Sequence, residues 1–62
     1  MTGRIKNFNP STRYGFITSG NEDYRFHFQD WTLRLPPTKG LIVEFEPYQT
    51  EKGWRAREIT SL

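Results

Sequence analysis

Two short segments, Tyr14-Gly15-Phe16-Ile17 and Tyr24-Arg25-Phe26-His27-Phe28, set aromatic residues at alternate positions and commit this chain to strands. A strand has period two, so Tyr14, Phe16 and Thr18 project from one face and Gly15, Ile17 and Ser19 from the other. The short polar link Gly20-Asn21-Glu22 predicts an antiparallel hairpin between the two segments. Within the second segment Tyr24 and Phe26 share the parity expected to point inward. The outward aromatics then stand beside Arg13, Arg25 and His27. Every base has a π-face, so such a surface suits unpaired nucleic acid with little demand on sequence.

Apolar residues at helical spacing are missing throughout. Aromatic and β-branched segments separated by turn residues instead predict strands over Gly3–Asn9, Tyr14–Ser19, Asp23–Phe28, Leu41–Tyr48 and Trp54–Thr60. One 3₁₀ turn is expected over Gln29-Asp30-Trp31, followed by a loop from Thr32 to Gly40 that contains Pro36-Pro37. Pro47 marks an edge or a bulge near the end of the fourth strand. Five short strands are too few for a two-sheet sandwich but can curl into one small barrel with few bare edges. The first strand offers a local test of that closure. Ile5 and Phe8 are an odd number apart, so either a bulge bends the strand or one of the two is exposed. The bend is expected, with Ile5 inside and Phe8 partly covered. The expected fold is all-β, a five-stranded antiparallel barrel formed by residues 1–62 as one domain.

A chain of 62 residues without cysteine has neither disulfides nor thiolate metal sites to reinforce it. Stability must come from apolar burial, and the two Trp, three Tyr and five Phe can supply it. Ile17, Tyr24, Phe26, Val43, Phe45 and Ile59 are the candidate core, and Ala56 fits a crowded interior position. The single histidine has no second imidazole or thiolate to share a metal with, and no partner at a spacing that suggests a catalytic base. No cofactor is expected, and no enzyme. No apolar run is long enough to cross a bilayer, and no signal-peptide hydrophobic region opens the chain. A soluble, cytoplasmic protein is the expectation.

Net charge is only +2, but its distribution is uneven. Through Phe28 the chain has four cations (Arg4, Lys6, Arg13, Arg25) against Glu22 and Asp23. Beyond that point cations and acids balance. The positive bias coincides with the densest aromatics, as an electrostatic footprint for phosphate would.

Arg4-Ile5-Lys6-Asn7-Phe8-Asn9, Tyr14-Gly15-Phe16-Ile17 and Asp23-Tyr24-Arg25-Phe26-His27-Phe28 together resemble the cold-shock domain family. The pattern Gly40-Leu41-Ile42-Val43-Glu44-Phe45, followed by Gly53 and Ala56 through Ile59, continues the resemblance along nearly the whole chain. It implies an OB-type barrel that binds single-stranded DNA or RNA, typically pyrimidine-rich, and in some members acts as an RNA chaperone. It also implies roles for particular residues. Tyr14 and Phe16 match stacking aromatics of one signature, and His27 and Phe28 match the stacking pair that ends the other. Lys6 and Asp23 match polar contacts, Phe8 an aromatic beside the surface, and Lys52 lies where some members place a basic contact.

The departures fall on the binding face. Asn7 stands where the family usually has a base-stacking tryptophan, and Arg25 where it has phenylalanine. Thr12-Arg13 replaces a lysine-glycine pair. The loop after the third strand is shorter, and only Leu35 or Pro36 lies near the place of its aromatic. One base–aromatic stack is worth about 1–3 kcal/mol. Losing two stacks therefore weakens binding by roughly two orders of magnitude. Arg25 recovers part of that loss, since a guanidinium both stacks and pairs with phosphate. Binding is expected to shift from stacking toward charge.

The expected function is sequence-tolerant binding of single-stranded RNA or DNA. Tyr14, Phe16, His27 and Phe28 stack bases, with Phe8 beside them. Lys6, Arg13 and Arg25 meet phosphates, and Asn7 and Asp23 bond base edges. Trp54 reads equally as an added stacking group or as part of a protein contact. Arg25 alternatively pairs with Glu22 or Asp23, and Arg55-Arg57-Glu58 reads as a solvated strand face. The rival reading is a barrel repurposed as a protein-interaction or self-association module, with a protein partner or homodimer closing on the exposed aromatics.

Overall fold

The computed structural model describes residues 1–62. Five strands, β1 (Thr2–Asn9), β2 (Tyr14–Ser19), β3 (Glu22–His27), β4 (Ile42–Thr50) and β5 (Gly53–Ser61), follow in chain order. They close a barrel in the spatial order β1-β2-β3-β5-β4. One 3₁₀ turn, Phe28–Asp30, follows β3 and sits one residue earlier than the expected position. Phe28 consequently leaves the sheet. Its backbone N–H bonds to the Arg13 carbonyl at 2.8 Å, tying the turn to the β1–β2 connection.

The barrel is not purely antiparallel, which corrects the expected topology. β3 and β5 run parallel where Arg25 meets Arg55, and a parallel bridge joins Trp31 to Ile59. The cause is arithmetic: strands alternating in direction around a ring of five must match at one seam. That seam joins two strands separated in the chain by the 3₁₀ turn, the Thr32–Gly40 loop and all of β4.

Two bulges shape the closure. Ile5 pairs with Ile17 and Asn7 with Phe16, leaving Lys6 as an extra residue on β1. The bend brings both Ile5 and Phe8 to the interior side, Ile5 fully and Phe8 in part. The second bulge lies on β5, where Arg57 opposes Glu46 and Thr60 opposes Glu44. Glu58 occupies it with φ of 52°. Pro47 does not end β4, which continues to Thr50. β1 pairs with β4 only through Glu44, so a residue without an N–H is tolerated on the open edge beyond it.

Nine buried side chains fill the interior: Ile5, Ile17, Tyr24, Phe26, Trp31, Val43, Phe45, Ala56 and Ile59. Gly15 makes the packing possible. A Cβ there would lie 2.5 Å from the Asn7 carbonyl oxygen and 2.7 Å from the Phe26 ring. Two aromatic columns run from this core to the surface. Trp31 stacks on Phe26, Phe26 on Phe8, and Phe8 meets the exposed Phe28 at 6.0 Å. Phe45 meets Tyr24, which meets the exposed Trp54 at 5.8 Å. Each surface ring therefore stands on a rigid foundation.

Candidate nucleic-acid interface

Strand register assembles the outer face. Asn9, Tyr14 and His27 form one cross-strand row over β1, β2 and β3. Asn7, Phe16, Arg25 and Arg55 form a second row that continues onto β5. Neither row contains an acid. Phe16 is 38% exposed, Phe28 41% and Trp54 39%, so three large aromatics present much of their surface to solvent. Tyr14, Arg25 and His27 are half-buried between them.

The polar side chains are held in particular ways. The Arg25 guanidinium lies 4.2 Å from the Tyr14 ring centroid, and that of Arg55 lies at 5.7 Å. Arg25 makes no ion pair with Glu22 or Asp23. His27 meets Tyr14 edge-on at 4.7 Å. Its Nδ1 accepts the Gln29 backbone N–H at 3.0 Å, so the neutral ring carries its proton on Nε2. Asn7 is exposed and uses its amide in no intramolecular hydrogen bond. No group of three histidine, cysteine or carboxylate side chains converges anywhere in the chain.

Lys6 and Asp23 are brought together, with Nζ 2.7 Å from Oδ2. Thr18 donates its hydroxyl to the other oxygen of Asp23. The Lys6 hydrogen bond first, and the Thr18 bond second, hold the Asp23 carboxyl below its ordinary value. Lys6 is thus occupied, in an exposed pair of a kind that is worth little.

Arg13 adopts a left-handed backbone, with φ of 66°, at the position of the family's glycine. Its N–H bonds to the Asn9 carbonyl at 2.7 Å, which fixes this turn. Arg13, Phe8, Pro10 and Phe28 line a shallow concavity of about 260 Å³. A second concavity of about 350 Å³ is lined by Phe16, Arg25, Lys52, Trp54 and Arg55, and also by Glu22 and Asp23. Lys52 occupies the two-residue β4–β5 turn, whose Thr50 hydroxyl accepts its N–H.

Sequence reasoning missed Arg55, which it placed on a solvated face. Arg55 is half-buried beside Arg25, and its Nε is enclosed without a hydrogen-bond partner. Only the β3–β5 seam brings it there, and nothing local in the sequence signals that pairing. Arg57, two residues on, is held instead by Glu46 at 3.0 Å and lies over the Tyr48 ring.

A small closed barrel with an aromatic and basic face over its second and third strands is the architecture of an OB-type oligonucleotide-binding fold. The model of the 'Cold-shock' DNA-binding domain matches residues 1–62, and the chain belongs to the cold-shock domain family. That family is generally nucleic-acid binding. The chain is 37% identical to cold shock-like protein CspG of Shewanella violacea, over 98% of this chain and 93% of that protein. It is 35% identical to cold shock-like protein CspA of Vibrio cholerae, over 100% of this chain and 94% of that protein.

Proposed function

We propose that this barrel binds single-stranded RNA or DNA with little sequence demand and performs no chemistry on it. The observation that carries the reading is the pair of acid-free rows, Asn9–Tyr14–His27 and Asn7–Phe16–Arg25–Arg55, on one outward face. Tyr14, Phe16, His27 and Phe28 stack bases, Phe8 supports Phe28, and Asn7 and Asp23 bond base edges. Lys6, Arg13, Arg25 and Lys52 neutralise phosphates. A cytoplasmic RNA chaperone, keeping transcripts unpaired, is the cellular role that fits such tolerance.

Fluorescence anisotropy with one labelled oligonucleotide, single-stranded or annealed to its complement, tests this. The single strand binds and the duplex competes poorly. Equal binding of both would reduce the interaction to charge. The chaperone role is tested by the same protein opening a hairpin RNA that carries a fluorophore and quencher at its ends.

The exposure of Phe16, Phe28 and Trp54 also favours a second reading, an interface with a protein partner or a second copy. Salt separates the two. Contacts with phosphate weaken steeply as salt rises, whereas an apolar protein interface survives. Sedimentation of the free protein over a concentration series reads self-association directly.

A further inference from the structure

Arg25 and Arg55 meet in register at the β3–β5 seam, and neither forms an ion pair. The chain's three ion pairs join Met1 to Glu44, Lys6 to Asp23 and Arg57 to Glu46. Both arginines lean on the Tyr14 ring, and the enclosed Nε–H of Arg55 is unpartnered. An arginine held by no carboxylate keeps its terminal N–H donors free, and that fork matches the oxygens of a phosphate. Both arginines line the concavity of about 350 Å³ together with Phe16, Trp54 and Lys52, and with the carboxylates Glu22 and Asp23. That volume lies at the small end of ligand pockets, and its mix of aromatic and cationic side chains suits one nucleotide.

We propose that this pocket is the nucleotide subsite at the β5 side of the aromatic and basic face, in which Arg25 and Arg55 clamp one phosphate while Trp54 stacks the attached base. It rests on the single-strand reading and extends the footprint from β3 onto β5. Three cations in the lining, Arg25, Lys52 and Arg55, exceed the two carboxylates, Glu22 and Asp23. Trp54 is anchored on Tyr24 and keeps an open face, so it stacks without paying to become ordered.

The probes are uridine 5′-monophosphate, uridine and inorganic phosphate, titrated into the whole chain. Two readouts apply: the NMR signal of the Arg55 Nε–H, and tryptophan fluorescence. The latter reports chiefly Trp54, because Trp31 is buried in the core. The monophosphate is expected to move the Arg55 signal and quench Trp54 saturably, the nucleoside to bind much more weakly, and phosphate alone to move Arg55 without quenching. Arg55→Gln and, independently, Arg25→Gln each weaken the monophosphate about tenfold or more, with thermal melts confirming a folded barrel. Equal binding of uridine and its monophosphate, or indifference to both substitutions, overturns the clamp. A dT heptamer titrated in parallel separates the failures. Heptamer binding without monophosphate binding overturns the pocket alone, and binding of neither overturns the single-strand reading as well. Heptamers with a 5′-phosphate or a 5′-hydroxyl distinguish a terminal from an internal phosphate. Either preference supports the clamp if Arg55→Gln weakens the tighter ligand about tenfold, and neither does if that substitution is silent.

Discussion

Arg25 rests 4.2 Å above the ring of Tyr14, although Glu22 and Asp23 precede it on the same strand. A guanidinium held by a π-face keeps its N–H donors free for an incoming anion, whereas one held by a carboxylate does not. The residue replaces a family phenylalanine and turns a stacking position into a charged one. Arg25→Gln should therefore reduce the dependence of log affinity on log salt by about one unit, while changing all sequences alike. Titrations over a salt series measure the slope, and an unchanged slope would remove Arg25 from the phosphate contacts.

Asn7 faces Phe16 across the β1–β2 pair, exposed and unbonded. Asn7→Trp places an indole there and should add one stack, about 1–3 kcal/mol, or roughly 5- to 150-fold in affinity. Oligonucleotide titration of the variant checks this. A gain well below fivefold would mean that bases do not pass over this position.

Arg13 holds a left-handed backbone that costs an L-residue about 1–2 kcal/mol. Arg13→Gly relieves that strain and should raise the midpoint of thermal unfolding, although glycine's greater freedom in the unfolded chain returns part of the gain. The same change removes a cation from the Phe8–Phe28 concavity and should weaken oligonucleotide binding. Stability rising while affinity falls is the signature of strain retained for function. Calorimetry and titration of one variant read both.

The interior leaves little margin. Gly15→Ala forces Phe26 or the Asn7 carbonyl aside and should cost about 1–3 kcal/mol, and Phe26→Ala about 3–5 kcal/mol. A domain of this size has roughly 3–9 kcal/mol in total, so Phe26→Ala should leave a substantial unfolded population. Denaturant unfolding followed by circular dichroism tests both.

Carboxylates on the two sides of the barrel should respond to pH with opposite signs. The hydrogen bonds from Lys6 and Thr18 lower the Asp23 value, so their contribution is present above the unfolded value near 3.8 and disappears as pH falls through the depressed one. Glu58 is raised by its hydrogen bond with Glu46 and by that neighbour's charge. Its contribution is complete below the unfolded value near 4.5 and is lost as pH rises through the raised one. NMR titration of the side-chain carboxyls reads each, and Lys6→Gln should return Asp23 toward its ordinary value.

Much of the fold follows from local pattern. Alternation placed Ile17, Tyr24, Phe26, Val43 and Phe45 inside, and the odd spacing of Ile5 and Phe8 pointed to a bend, which is the bulge found at Lys6. The cross-barrel seam was not legible, because β3 and β5 meet only after an intervening loop and strand, and no short-range preference encodes that encounter. The outward placement of Phe16, Arg25 and Trp54 could be anticipated, the first two from parity. Arg55 could not, since the same strand face that carries it also looked solvated when read alone. The engagement of Lys6 by Asp23 likewise depends on the bulge that turns Lys6 toward β3.

The central claim is tested most directly by titrating tryptophan fluorescence with dT and U heptamers at low and physiological salt, for the wild-type chain and Phe16→Ala. Binding that weakens as salt rises, and that Phe16→Ala reduces by about 5- to 150-fold, is the predicted result. Absence of binding at low salt, or binding indifferent to both salt and Phe16, would contradict it.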